Sequence, residues 1–277
     1  MKGLRHPDAP AVDLIALSDA LDSVSVERPA AIQVMSVIDD PNTTAPKVAT
    51  AVESDPAFAA QVMRLANSAF YGMSGRVANT GFAVTVIGFS AIRSLAAVAA
   101  TGLDRTDRPK PEGFWFHAAA AAAGCSTIAH RFGVPKGDAF AAGLLHDLGS
   151  ALLHGFDAAN HQRLINRHGT DGIELRDAEA ETFGTGHDAA TSRVLTAWRF
   201  PESLVQAVAG HHAEHPGSDP FTQTVWVGDL LARLVDNPDD DAMRDLVSSV
   251  LLGEDLDETI ETTGLRAHEI MASLPIG

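Results

Sequence analysis

The sequence predicts an all-α fold of two helical lobes. Three observations carry that expectation. Apolar residues recur with a helical period along nearly the whole chain. Alanine is abundant and runs of β-branched residues are short. No Asn-Gly or Asp-Gly turn joins two strand-like runs. With 277 residues, 45% of them hydrophobic and 20% charged, the chain is long and apolar enough to bury a sizeable core.

The first helix is expected over about Val12 to Val24. Pro29 opens a second, carrying Val34, Met35 and Ile38, which ends before Asp40-Pro41. A third is capped near Thr44, with Pro46 in its first turn and Val48 and Val52 inward. Asp55-Pro56 is a helix start: the carboxylate can accept from the first free amides, and proline at the first helical position gives up no needed donor. That helix directs Phe58, Val62, Met63, Leu65 and Ala66 inward and stops near Asn67-Ser68, before Tyr71-Gly72. Gly81 to Gly88 reads as helical with Gly88 as terminator, and Ser90 to Ala100 follows. The charged, two-proline stretch Thr101 to Gly113 is the best boundary. Beyond it come Phe114–Phe132, Lys136–Gly149, Ala178–Thr182, His187–Trp198, Pro201–His212 and Thr222–Val235, then an acidic end with turns over Met243–Leu252 and Leu265–Leu274. The organisation read from this is an N-terminal helical lobe (1–110), a second helical lobe (111–236) and an acidic C-terminal helical extension (237–277).

Lys plus Arg number 20 and Asp plus Glu 36, a formal charge of −16. Such a surface repels phosphate backbones and anionic lipids, which argues against broad nucleic-acid binding and against a membrane-surface role. The single cysteine, Cys125, excludes an intrachain disulfide. The start MKGLRHPDAP has no apolar signal core, and no run has the roughly 18 apolar residues of a membrane span. A cytoplasmic location is expected.

Most of the chemistry lies in the second lobe. His146-Asp147 stands in GLLHDLG at the end of an apolar segment, and on one helix the two side chains would point about 100° apart. His117 precedes a run of alanines that would let another helix approach closely. His187 opens a helix, His211-His212 closes the one that starts at Pro201, and Asp229 sits in the apolar VWVGDLLARL. An interior aspartate in such a run is costly unless paired or bound to metal. Imidazole and carboxylate together suit Fe, Mn, Zn or Co, and seven donors exceed what one ion usually takes. One or two divalent ions are therefore expected. Arg193, one and a half helical turns after His187, is a candidate for a phosphate or other ligand contact. His130, His154, His161, His168, His215 and His268 read as solvated or structural.

The order His117, His146-Asp147, His187, His211-His212, Asp229 resembles the HD superfamily of metal-dependent phosphohydrolases, including the HD-GYP cyclic-di-GMP phosphodiesterases. The run from Asp55 to Leu95 and the run from Glu181 to His212 are similar to the HDOD domain, an HD-related output domain of bacterial signalling proteins. The likeness covers about 12–234 and includes Asp55-Pro56, Asn67-Ser68, Gly88, the Trp198 to Pro201 step and the double histidine. It implies an all-helical fold and a regulatory role. Two departures stand out. Ser150 follows Gly149 where HD-GYP enzymes carry a phosphate-holding lysine, and a hydroxyl cannot supply that charge. No Gly-Tyr-Pro follows the double histidine.

Two functions are expected from this. One is a signalling module that binds a partner protein or a nucleotide ligand without catalysis. The alternative is a metal-dependent phosphohydrolase acting on a nucleotide or cyclic dinucleotide. The small number of cations expected near the donors (Arg193, Arg199 and Lys136) favours the module. Asn67 and Ser68 read as helix terminator and loop anchor, and Trp198 and Tyr71 as packing residues.

Overall fold

A computed structural model describes residues 16–17, 19–20 and 28–274, less 104, 106, 171 and 254. Among these residues the regular structure is helical, with no strand. Of the helix expected over Val12 to Val24, residues 16, 17, 19 and 20 are helical and the rest lies outside the described residues.

The N-terminal half is built from α1 (Pro29–Ile38), α2 (Ala45–Glu53), α3 (Pro56–Ala66), α4 (Thr80–Ile87) and α5 (Phe89–Thr101). Asp55 caps α3, its carboxylate accepting from the amides of Ala57 and Phe58 at 2.9 and 3.1 Å. Phe58, Val62, Leu65 and Ala66 are buried as expected; Met63 is only half-buried, and Gln61 is buried on the same face. Asn67 ends α3 and pins the following loop, donating to the carbonyls of Met63 (3.1 Å) and Val77 (2.9 Å) and accepting from the Val77 amide (2.9 Å). Ser68 donates back to the Leu65 carbonyl at 2.7 Å. Half-buried Tyr71 packs edge-on against Phe70 in a short 3-10 turn, and burial raises its phenol pKa. Gly88, at φ +85°, turns the chain by 105° between α4 and α5, a conformation that favours glycine.

The rest of the chain forms α6 (Phe114–Phe132), α7 (Lys136–Leu145), α8 (Leu148–Phe156), α9 (Ala158–His168), α10 (Ile173–Phe183), α11 (His187–Ala197), α12 (Glu202–Ala209), α13 (Pro220–Asp236), α14 (Asp241–Val250) and α15 (Leu256–Ser273). The expected single helix Lys136–Gly149 is two helices, broken at His146-Asp147. The cause is local. His146 Nδ1 takes the Gly143 carbonyl at 2.7 Å, the acceptor that the Asp147 amide would use in a continuous helix. Asp147 then sits outside helical geometry, at φ −105° and ψ +15°. Helix α9 was not expected, since its sequence AANHQRLINRH is polar on average, and α10 is longer than the expected Ala178–Thr182.

Helix α6 is the axis of this half. Ala118 to Ala123 are all buried, and α7, α13 and α15 pack around it. Small residues set the spacing. A Cβ on Gly143 would lie 2.5 Å from the Ala121 carbonyl oxygen, and one on Gly228 would lie 2.2 Å from Cys125 Sγ. The largest apolar cluster runs from Leu17 to Leu274 and joins both halves. Arg93 of α5 fastens them further: it pairs with Asp39, donates to the carbonyls of Trp198 (2.9 Å) and Arg199 (3.1 Å), and lies 4.5 Å over the Phe200 ring. Trp198, half-buried, closes α11, and Pro201 precedes α12. Among the described residues no single helix is long and apolar enough to cross a membrane.

The tightest crossing is between α8 and α11, where a Cβ on Gly149 would lie 2.1 Å from the His187 carbonyl oxygen. Gly149→Ala is expected to cost about 3 kcal/mol, since the obstacle is backbone and cannot rotate away. A urea midpoint unchanged from the parent protein would contradict this packing.

Candidate metal centre

Seven side chains from five segments meet at one place. His117 comes from α6, His146 and Asp147 from the α7–α8 break, His187 from the start of α11, His211 and His212 from the turn after α12, and Asp229 from the middle of α13. Three of these positions are helix ends or breaks, where the backbone no longer restricts side chains to one stripe. The α8–α11 contact at Gly149 brings Asp147 to His187, and the Gly149 amide donates to Thr191 Oγ1 at 2.7 Å.

The donors fall into two groups that share Asp147. Its Oδ2 lies 3.6 Å from His117 Nε2 and 3.7 Å from His146 Nε2. Its Oδ1 lies 3.3 Å from His211 Nε2 and 3.5 Å from His187 Nε2. Asp229 Oδ1 completes the first group, 3.2 Å from His117 and 3.6 Å from His146. His212 completes the second, its Nε2 2.7 Å from that of His187. Donors about 2.1 Å from a common ion and roughly at right to tetrahedral angles stand about 3.0–3.4 Å apart. The observed spacings are of that order.

The histidines are also prepared as ligands. The Nδ1 atoms of His146 and His211 donate to the carbonyls of Gly143 (2.7 Å) and Val208 (2.6 Å), and that of His187 to Glu179 Oε2 (2.5 Å). Each bond fixes the tautomer that leaves the Nε2 lone pair facing the site. Burial and the neighbouring His212 lower the pKa of His211, which keeps it neutral. Burial acts against protonating His146 too, but Asp147 and Asp229 outweigh it and raise its pKa. The carboxylates thus ask for a positive charge, which an ion would supply. The donor set fits two divalent ions such as Fe, Mn, Zn or Co.

Glu179 is the functional residue that the sequence reading missed. It is fully buried, and besides His187 it accepts from His161 Nε2 at 2.7 Å. Burial opposes its charge, but His187 and His161 outweigh that and hold its carboxyl below the usual range. His154 and His161, read as solvated or structural, are both buried and 3.3 Å apart. A signal for Glu179 was present: Leu175, Glu179 and Phe183 lie four residues apart on one buried stripe of α10, so an acid interrupts an apolar face.

The cations near the centre are not the expected ones. Arg193 is exposed on α11, six residues and hence about 240° round the helix from His187. Arg199 is exposed in the α11–α12 turn, and Lys136 lies over the Phe70 ring at 4.4 Å. Instead Arg233 Nη1 stands 3.8 Å from Asp229 Oδ2, and Arg176 Nη1 donates to the His212 carbonyl at 3.2 Å. Ser150 is buried in the first turn of α8. Cys125 is buried too; burial and Asp229 raise its thiol pKa.

A buried His/Asp cluster that could hold metal, set in an all-helical fold, is the feature the comparisons bear on. The HDOD domain family model matches residues 28–214, and the chain belongs to that family. It is similar in structure to the protein named "Putative phosphohydrolase" from Shewanella amazonensis SB2B, at 23% identity and TM-score 0.71, covering 94% of this chain and 98% of that one. It is similar also to an HDOD domain protein with unknown function from Geobacter sulfurreducens, at 21% identity and TM-score 0.62, covering 92% and 97%. A relative from Treponema pallidum (strain Nichols), an uncharacterized protein, is 23% identical over 247 residues; the match takes in 84% of this chain but only 47% of that protein's length.

Glu179→Gln is expected to weaken metal binding by about 10- to 100-fold, because the amide cannot hold His187 Nδ1–H as a carboxylate does. A metal titration giving equal affinity for both proteins would remove Glu179 from the centre.

Proposed function

We propose that this chain is a regulatory HDOD module of bacterial signalling, built around a two-ion centre, and that it acts by binding a signalling partner protein or a nucleotide ligand. The observation that carries this reading is enclosure. The donor set is complete, yet His146, Asp147, His187, His211 and Asp229 have side chains at most 5% exposed, and His117 alone reaches 15%. A centre so closed suits holding helices α6, α7, α8, α11, α12 and α13 in one arrangement that a partner can recognise. The absent Gly-Tyr-Pro, and Ser150 in the place of a lysine, support the same reading.

The second reading, a metal-dependent phosphohydrolase, is favoured by one feature: Asp147 gives one oxygen to each histidine group. Divalent ions held side by side there would polarise a phosphoryl oxygen and make water a readier nucleophile. The chain's own part is to hold the donors: Asp147 spans both groups, Glu179 orients His187, and the carbonyls of Gly143 and Val208 orient His146 and His211.

Elemental analysis of protein prepared without tag histidines or chelator is expected to give about two equivalents of Fe, Mn, Zn or Co. The double variant His146→Ala, Asp147→Ala is expected to lose them and to melt several degrees lower, since a ligand of the folded state alone stabilises it by about 2.7 kcal/mol at a hundredfold excess over Kd. Unchanged metal content in the variant would sink the assignment. Turnover of bis(p-nitrophenyl) phosphate by the manganese-loaded parent, lost in the variant, would replace the module by the hydrolase.

A further inference from the structure

We infer that a cavity between the two halves of the chain is a binding site for a small organic ammonium ion, a primary amine whose apolar body is about one ring in size. None of the seven metal donors lines this cavity, and the site does not depend on the two-ion reading.

The cavity holds about 130 Å³, and both halves wall it. The N-terminal half gives Ile38 at the end of α1 and Phe89 at the start of α5. The other half gives Phe200 before α12, Leu204 within it and Phe221 at the start of α13. Pro201 and Ser203 line it as well and are exposed, so the mouth lies on their side. An apolar cavity of roughly 150 Å³ takes up benzene, so one ring fills this space.

Charge decides what the ring must carry. Arg93 lines the cavity but is committed to the fold. It pairs with Asp39, its Nη2 donates to the carbonyls of Trp198 and Arg199, and its guanidinium stacks on the Phe200 ring. Its charge is therefore met. Asp138 differs. It is half-buried in the first turn of α7 and lines the same cavity. Its Oδ1 accepts from the Ser90 hydroxyl, and no cation among the described residues pairs with it. A hydroxyl is a neutral donor and leaves the carboxylate charge in place.

The cavity thus joins aromatic walls to one negative charge in excess. An ammonium group supplies the missing charge and the N–H donors that a carboxylate accepts. The faces of the phenylalanines attract a cation further. An anion is repelled here, and a neutral ring fills the walls without answering Asp138. The overall charge of −16 also draws cations to the surface. An occupant would touch α1 and α5 on one side and α7, α12 and α13 on the other. It would be an input to the module separate from the metal centre.

The test titrates the full chain in a calorimeter with benzylamine, protonated at neutral pH, and with benzyl alcohol, a neutral molecule of the same shape. Parent protein is expected to bind the amine about tenfold more tightly than the alcohol, the gain from one charge-assisted contact. Asp138→Asn is expected to bind the amine about tenfold more weakly and the alcohol within twofold of the parent, which shows the cavity intact. Ser203→Trp, at the exposed mouth, is expected to weaken both ligands. Parent that binds no amine, or binds amine and alcohol within twofold of each other, overturns the proposal. So does Asp138→Asn with an amine affinity within twofold of the parent. If Asp138→Asn fails to fold or loses both ligands, Ser203→Trp decides: an amine affinity within twofold of the parent puts the amine elsewhere and overturns the site.

Discussion

The arrangement depends on one carboxylate. Asp147 faces two histidine groups with its two oxygens, and neither group closes without it. It can do so because the chain leaves helical geometry at that residue. The bond from His146 Nδ1 to the Gly143 carbonyl interrupts the helix and fixes the tautomer of a ligand in a single contact. Gly149, two residues on, then admits the backbone of α11, and His187 arrives beside the same carboxylate. Helix break, close crossing and ligand set are parts of one local solution.

Much of this was legible in the sequence. Helix starts that rest on chemistry within a few residues, such as Asp55-Pro56 and Pro29, are found where the sequence places them, because a cap is decided locally. The loop-anchoring part of Asn67 was legible for the same reason. The seven donors were legible as a set through their order along helix-length gaps. What was hidden depends on a single side-chain bond that periodicity does not show, or on contacts between residues distant in the chain. The break at His146-Asp147 looks like continuous helix in an apolar segment, since only the imidazole bond to Gly143 ends it. Helix α9 is polar and stands by packing rather than by composition. Arg176 and Arg233 are distant in sequence from most of the donors they accompany, and nothing local marks them.

Glu179 belongs to a third kind. Its position on an apolar stripe was readable, but its meaning was not, because its two partners come from α9 and α11. The carboxylate binds both the Nδ1 and the backbone amide of His187, which ties the start of α11 and the orientation of the ligand to one side chain. The two histidines left aside as structural, His154 and His161, form the outer part of the same buried network. Chemistry and packing cannot be assigned to separate residues here.

The close crossing at Gly149 has a consequence for how an ion arrives. The donors are spread along the chain from His117 to Asp229, so an unfolded chain would have to close several loops of tens of residues to assemble them, each at an entropic cost. Two close backbone approaches, Gly149 against His187 and Gly143 against Ala121, help to bring them together. An ion held there would be a cross-link between residues far apart in the chain, and its binding would add to the stability of the folded state.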